Sequence, residues 1–266
     1  MKQKVHLSGI SFDNKSSFLK GPAKAPDVIR EVLYDGSSNY WTESGVDLEA
    51  STELIDLGNI EVNDYHDIQA QLEEHYKQGV PHLFLGGDHS VTFPIISAIS
   101  KTQTQAFDIL HFDAHTDLYD EFEGDKYSHA CPFARIMEKG LCSRLIQVGI
   151  RTVTSHQREQ ADRWNVDIIQ MKDILELDKL EFDRPVYISL DLDVFDPAYA
   201  PGVSHHEPGG LSPRSFLDFL LNKKFELFAA DIVELNPDRD VMGITAAVAA
   251  KCLKELVAKM HASFSI

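Results

Sequence analysis

The 266-residue chain has few cysteines, no long apolar run and a shortage of basic residues. Its three cysteines are widely spaced and form no Cys-x-x-Cys pair, which indicates reduced thiols rather than a disulfide framework. No apolar run approaches the ~18 residues that span a bilayer, and the N-terminal sequence MKQKVHLSGI lacks the apolar core of a signal peptide. We therefore expect a cytoplasmic protein.

The shortage of positive charge argues against two classes of partner. The chain has 25 Lys and Arg residues against 42 Asp and Glu residues, which gives a formal net charge of −17. Such a charge repels nucleic acid and anionic membrane surfaces, and it favours small cationic molecules. We expect no nucleic-acid or membrane partner.

Apolar runs alternate with helical patterns along the whole chain. Strand-like runs lie near residues 54, 83, 109, 147, 168, 188 and 230, and helices are predicted at 26–34, 64–78, 91–101, 129–139, 155–164, 213–222 and 241–260. This alternation is typical of an α/β protein with a mostly parallel sheet covered on both faces. Because 43% of the residues are hydrophobic, the chain can bury one large core. We predict a single domain over residues 1–266.

Several of the predicted strands end in acidic residues or histidine. The segments that follow them are GGDHS at 86–90, DAHTD at 113–117, SLDLDVFDP at 189–197 and DIVELNP at 231–237. In open parallel sheets, ligands bind beyond the carboxyl ends of the strands. We therefore expect these polar segments to meet at one edge of the sheet and to form the functional site.

Six side chains in these segments have the chemistry of metal ligands: His89, Asp113, His115, Asp117, Asp191 and Asp193. In DAHTD and DLD the candidate ligands occupy every second position, and such residues of an extended segment project from one face at intervals of ~6.6 Å. Without cations, so many carboxylates would repel one another, whereas two divalent ions ~3.5–4 Å apart would hold them and activate one bridging water. Each motif alone could be a capped strand end. Together they favour a metal pair.

With these motifs the chain resembles the ureohydrolase family, which contains arginase, agmatinase and formimidoylglutamase. The resemblance runs through KGPAKAPDVIREVL, GGDHS, FDAHTD, YSHACPFAR, QVGIR, SLDLDVFDP, EPGGLS and VELNP, nearly the whole chain. It implies a three-layer αβα sandwich with an eight-stranded, mostly parallel sheet, assembled as a homo-oligomer, either trimer or hexamer. It also implies a dinuclear metal hydrolase in which a bridging hydroxide attacks a guanidino-type carbon.

The resemblance implies two Mn²⁺ ions, although iron, nickel or zinc could occupy a similar set of oxygen and imidazole ligands. One ion would be held by His89, Asp113, Asp117 and Asp191, and the other by Asp113, His115, Asp191 and Asp193. Asp113 and Asp191 would therefore bridge the two ions.

Three residues are implied to act in catalysis. Asp117 would orient the hydroxide, Glu234 would pair with the guanidinium and His129 would shuttle protons as the amine departs. A solitary histidine at a helix start is more often structural, so the role of His129 depends on the resemblance. Cys131 could suggest a thiol nucleophile, but no activating pair is evident. Arg151 is expected to support the site or a subunit contact.

Two further segments bear on the substrate. Between Asp117 and His129 lies the acidic segment LYDEFEGDKYS, which includes Asp120 and favours a distal ammonium, whereas a substrate carboxylate needs neutral or basic donors. In APGVSHHEPGG, His205 and His206 stand where arginases and many agmatinases have Thr-Pro. These histidines could recognise substrate, bind another metal or simply be exposed, and substrate recognition is slightly favoured.

The motifs are closest to those of agmatinase, so the expected reaction converts agmatine, a small cationic guanidino substrate, to putrescine and urea in polyamine biosynthesis. Arginase, formimidoylglutamase and other guanidino-acid hydrolases are the alternatives. A single-zinc deacylase is a remote alternative, because it would need only one metal set. An inactive scaffold is also remote, because His129 and Glu234 accompany the complete ligand set.

Overall fold

The computed structural model describes residues 2–263, and one parallel sheet forms its centre. Its eight strands are β1 (Gln3–Gly9), β2 (Thr52–Asn59), β3 (His82–Leu85), β4 (Asp108–Phe112), β5 (Arg144–Ile150), β6 (Asp167–Gln170), β7 (Val186–Asp191) and β8 (Leu227–Val233). Their order across the sheet is β2-β1-β3-β8-β7-β4-β5-β6, and every neighbouring pair is parallel. The predicted sheet is confirmed.

Helices connect the strands. They are α1 (Ala25–Tyr34), α2 (Leu48–Ser51), α3 (Asp67–His75), α4 (Thr92–Thr102), α5 (Pro132–Glu138), α6 (Ser155–Trp164), α7 (Pro213–Asn222) and α8 (Ile244–Ser263). Seven match the predicted helices within a few residues, and the four-residue α2 was not predicted. No helix within residues 2–263 is long and apolar enough to cross a membrane.

Strand β1 was also not predicted. It contains no continuous apolar run, because His6 and Ser8 alternate with Val5 and Leu7. All four side chains are nevertheless buried, since β1 lies between β2 and β3 and both of its faces are covered. A strand that places polar side chains in the interior does not show the apolar pattern used to find it.

Apolar side chains pack on both faces of the sheet. Leu83 and Leu85 of β3 belong to the cluster beneath α1, α7 and α8, whereas Phe84 between them belongs to the cluster beneath α3, α4 and α5. Successive side chains of a strand point to opposite faces, so one short strand contributes to both cores. The result is the three-layer αβα sandwich that was predicted.

A buried histidine cluster lies away from the carboxyl edge. His82 begins β3, stacks on Phe84 with ring centroids 4.1 Å apart, and has its Nε2 atom 2.9 Å from the Ser8 hydroxyl. The His6 ring meets the His82 ring edge-on at 5.5 Å. Burial holds the pKa of His82 well below its usual value of 6.5, so this ring is neutral in the folded protein.

We expect this cluster to make the protein sensitive to acid. The unfolded chain binds a proton at His82 near pH 6.5, whereas the folded protein resists it. The contribution of His82 to the free energy of unfolding is therefore complete above pH 6.5 and is lost as the pH falls towards the folded pKa. Urea unfolding at about pH 7.5 and about pH 5 measures it. His82→Phe should lose less stability over this interval than the wild type, and equal losses would contradict the assignment.

Candidate active site

The polar segments after β3, β4, β7 and β8 meet at one edge of the sheet, because these four strands are neighbours. Tight turns after two of them aim the carboxylates. Asp113 Oδ1 accepts a hydrogen bond from the His115 backbone N–H at 2.6 Å, and Asp191 Oδ1 accepts one from the Asp193 N–H at 2.8 Å. Each turn uses one carboxylate oxygen and leaves Oδ2 to face the site.

Four of the predicted ligands surround one point. The Nδ1 atom of His89 lies 3.1 Å from Oδ2 of Asp113, of Asp117 and of Asp191. This nitrogen is buried and makes no hydrogen bond to any of the three oxygens. Ligands bound at ~2.1 Å to one ion and at right angles to each other are ~3 Å apart. The spacing therefore fits donor atoms arranged around a cation.

A second group shares Asp113 with the first. His115 Nδ1 lies 3.3 Å from Asp113 Oδ1 and 3.0 Å from Asp193 Oδ2. The ligand atoms of these three residues lie within 4.8 Å of one another. The structure thus brings together all six side chains that the sequence proposed as ligands, with Asp113 between the two groups.

The carboxylates in this cluster repel one another. Burial and the neighbouring carboxylates of Asp193 and Asp113 hold the pKa of Asp191 well above its usual range. Burial and Asp113 raise the pKa of Asp193 to about 6. Divalent cations would compensate this negative charge and keep the carboxylates ionised, so the donor set suits a pair of such ions.

A buried network fixes the tautomer of His89. Tyr187 and Thr92 donate their hydroxyl protons to Asp231 Oδ2, at 2.7 and 2.8 Å, and Ser189 donates to Asp231 Oδ1 at 2.7 Å. Because the Ser189 proton is used there, its oxygen accepts from the Nε2–H of His89 at 3.0 Å. The lone pair of His89 therefore lies on Nδ1 and faces the carboxylates, as a metal ligand requires.

His111 supports the cluster and was not identified from the sequence. Gln147 donates its amide N–H to His111 Nδ1 at 3.0 Å, so His111 carries its proton on Nε2 and donates to Asp113 Oδ2 at 2.7 Å. The ring stacks on Phe133 with centroids 3.9 Å apart. The sequence does contain an indication of this role, because His111 lies two residues before Asp113 and on the same face of the strand.

A cavity of about 190 Å³ opens beside the cluster. Among its walls are Glu234 and His129, whose Oε1 and Nδ1 atoms lie 3.1 Å apart. Glu234 Oε1 also accepts from the His89 backbone N–H at 2.8 Å. Within residues 2–263, Glu234 Oε2 has no hydrogen-bond partner, so one oxygen of this carboxylate is available to a ligand.

The contact between Glu234 and His129 favours the ionised form of both residues. Burial opposes the charge on His129, but the Glu234 carboxylate overcomes this effect and raises the pKa of His129 to about 9. Burial likewise opposes the charge on Glu234, but the hydrogen bond from His129 lowers the pKa of its carboxyl group. A buried acid–base pair beside a metal-ligand cluster is a candidate site of proton transfer.

Two site residues have left-handed backbone conformations. The φ angle is 49° at Asp117 and 66° at Glu234, although neither residue is glycine. Such conformations cost ~1–3 kcal/mol and concentrate at functional sites. The surrounding structure therefore holds both carboxylates in strained positions that direct them into the cavity.

The two histidines of the SHHEPGG loop lie in different environments. His205 lines the cavity, with its ring centroid 5.3 Å from that of His129, and burial together with His129 lowers its pKa. His206 is exposed and does not line the cavity, and its Nε2–H donates to the Pro201 carbonyl at 2.7 Å. Only His205 is therefore placed to meet a ligand in this cavity.

Asp120 is paired outside the cavity. Its Oδ1 accepts from Arg135 Nη2 at 2.8 Å. Asp125, in the same acidic segment, pairs with Lys15 at 2.7 Å. These two carboxylates are therefore engaged by cations of the chain itself.

Arg151 connects two segments of the site, and Cys131 is an unreactive thiol. Arg151 Nη2 donates to the carbonyls of Asp193 and Glu207 at 2.6 and 2.7 Å, and so joins the segment after β7 to the SHHEPGG loop. Burial and the nearby Asp117 raise the pKa of the Cys131 thiol to about 12. This thiol stays protonated and is a poor nucleophile at neutral pH.

Comparison with known proteins gives one family. The model of the arginase family matches residues 3–258. The chain is 45% identical to "Arginase 1, mitochondrial" of Arabidopsis thaliana, in an alignment covering 97% of this chain and 82% of that protein. It is 33% identical to "Guanidino acid hydrolase, mitochondrial" of Homo sapiens, covering 94% of this chain and 76% of that protein.

Solved structures agree with the fold. The arginase from Medicago truncatula superposes with a TM-score of 0.90 at 42% identity, covering 97% of this chain and 87% of that one. The agmatine ureohydrolase of Thermoplasma volcanium superposes with a TM-score of 0.85 at 32% identity, covering 97% and 90%. Proteins named for different guanidino substrates therefore share this architecture.

Proposed function

Because the chain belongs to the arginase family, a family of dinuclear metal-dependent guanidino hydrolases, we propose that it hydrolyses L-arginine to L-ornithine and urea. Arginine combines a guanidinium group, which suits Glu234, with an α-carboxylate that must be bound by neutral or basic donors. The names of the plant relatives at 43–45% identity support arginine over agmatine.

The observation that carries this choice is the lining of the cavity. Away from the metal-ligand cluster and His129, it presents neutral donors: Tyr119, Thr152 and Gln157. Among residues 2–263, the carboxylates that line it are those of Glu234 and of the cluster. Asp120 and Asp125, which would favour a distal ammonium, are paired with Arg135 and Lys15. The outer part of the cavity therefore suits an amino acid better than a diamine-like substrate.

Several residues of the chain would have separate roles in the reaction. The six clustered histidine and aspartate side chains would hold divalent ions, which we propose to be manganese, and these ions would supply a hydroxide nucleophile at neutral pH. Glu234 Oε2 binds the guanidinium and orients its carbon, and Asp117 orients the attacking oxygen. The protonated His129 supplies the proton that the departing amine takes up, because its pKa of about 9 keeps it charged at neutral pH. Assembly as a homo-oligomer is part of the same proposal.

Agmatine is the second candidate. The formal net charge of −17 attracts cations, and Glu121 and Glu123 of the acidic segment are exposed. Agmatine has the guanidinium and the ammonium of arginine but lacks its carboxylate. These two substrates therefore test the outer part of the cavity directly.

We expect purified protein loaded with manganese to release urea from arginine with a kcat/KM ~10²-fold above that for agmatine, since a few kcal/mol of carboxylate binding corresponds to that ratio. Guanidinobutyrate and formimidoylglutamate are measured beside them. A preference for agmatine would show that the acidic segment governs specificity. Absence of hydrolysis of all four compounds would refute the hydrolase proposal itself.

A further inference from the structure

We propose that the Ser17 hydroxyl relays the proton from His129 to the departing amine. The inference rests on the proposed function, in which His129 supplies that proton. Ser17 lies in the loop after β1, far in sequence from every residue predicted for the site, and it lines the cavity beside His129 and Glu234.

The loop that contains Ser17 is bound firmly on both sides. The Lys15 backbone N–H and the Ser16 hydroxyl donate to Asp88 Oδ2 at 3.0 and 3.2 Å. On the other side, the Lys15 carbonyl accepts from the His129 backbone N–H at 3.2 Å. The loop therefore connects the residue before His89 to His129, and Ser17 is held at a fixed place.

Gly87 brings the start of this loop close to the sheet edge. A Cβ atom at position 87 would lie 1.7 Å from the Phe12 carbonyl oxygen. The Phe12 carbonyl accepts from the Asp88 backbone N–H at 2.9 Å. Only glycine permits this approach, so the contact between the loop and the metal-ligand segment is built into the backbone.

The hydrogen bonds fix which atoms can exchange a proton. Glu234 is a carboxylate that only accepts, so the Nδ1 atom of His129 carries a proton towards it. The other nitrogen, Nε2, lies 2.8 Å from Ser17 Oγ. A hydroxyl accepts from protonated Nε2 and donates to neutral Nε2, so the same contact persists before and after His129 gives up its proton.

The transfer balances. As the bond between the guanidinium carbon and the departing nitrogen breaks, its electron pair stays on the nitrogen. That lone pair takes the proton of the Ser17 hydroxyl, while Ser17 Oγ takes the Nε2 proton of His129. The serine ends as a hydroxyl, His129 ends neutral and the nitrogen leaves as a neutral amine. The carbon keeps the attacking oxygen, and the protonated urea so formed releases one proton to solvent. His129 recovers its proton from solvent before the next turnover.

We expect Ser17→Ala to lower kcat for arginine by ~10²-fold while KM and manganese content stay near wild-type values, because proton transfer is affected and binding is not. Ser17→Thr, which keeps a hydroxyl, should recover most of the rate. Ser16→Ala is the matched control, since the Ser16 hydroxyl bonds the same loop to Asp88 but does not contact His129.

The dependence of kcat on the deuterium content of the solvent distinguishes proton relay by the Ser17 hydroxyl from a purely structural role of this hydroxyl. Two protons move together in the wild type, so the plot of rate against deuterium fraction should curve, and it should become linear in Ser17→Ala. A Ser17→Ala rate equal to that of Ser16→Ala, or an unchanged curved plot, would overturn the relay. Wild-type protein that releases no urea from arginine would instead refute the proposed function.

Discussion

Replacing Asp113 or Asp191 by alanine should remove bound manganese and nearly all urea release. Each carboxylate is buried among the other ligands, and Asp113 faces both His89 and His115. We propose that Asp113 and Asp191 would each serve both ions, so the loss of either carboxylate would weaken the binding of both ions. Several kcal/mol of transition-state stabilisation disappear with the ions, which lowers kcat/KM by at least ~10²-fold. Elemental analysis and urea release measure the two effects.

The matched control is Asp183→Ala. Asp183 precedes β7 at the opposite end from Asp191, and its side chain is 81% exposed. This variant should bind metal and turn over substrate as the wild type does. Two full equivalents of manganese in both Asp113→Ala and Asp191→Ala would remove these residues from the bridging positions.

Glu234→Gln should keep both metal ions and lose most of its activity. The substituted amide can still accept from the His89 N–H, but it replaces a charge-assisted pair with the guanidinium by neutral hydrogen bonds. Such pairs contribute ~1.5–3 kcal/mol for each bond, so kcat/KM should fall by ~10²-fold or more. The variant also loses the charge that raises the pKa of His129, so His129 should release its proton at lower pH.

Glu226→Gln controls for the loss of one charge. Glu226 is exposed and directly precedes β8, whereas Glu234 directly follows it, so the two residues stand at opposite ends of the same strand. We expect Glu226→Gln to match the wild type in kcat/KM and manganese content. Equal activity of Glu234→Gln and the wild type would show that Glu234 does not bind the guanidinium.

The sequence was sufficient for the features that depend on local pattern. Alternating apolar runs predicted the sheet and most helices, and the spacing in DAHTD and DLD indicated side chains that lie together in the folded chain. Contacts between distant segments leave no such pattern: Ser17 and His129 are 112 positions apart, and their hydrogen bond appears only in the folded chain. His111 was overlooked for another reason, because a histidine inside an apolar run resembles a core residue.

The pairing of acidic residues also depends on tertiary structure. In the sequence alone, the segment around Asp120 and Asp125 has an excess of acidic residues. In the folded protein, Arg135 and Lys15 approach these two carboxylates from α5 and from the loop after β1. A charge count within one segment cannot include cations contributed from elsewhere in the fold.

The position of β8 in the sheet determines when the site can form during synthesis of the chain. Strands β2, β1 and β3 form one half of the sheet and β7, β4, β5 and β6 the other, and β8 lies between them. A nascent chain that has not yet delivered residues 227–233 therefore exposes the unpaired edges of β3 and β7, which invite association with other chains. Glu234 arrives with the strand that closes this gap. Protection of the β3 and β7 edges and completion of the cavity therefore depend on the same strand.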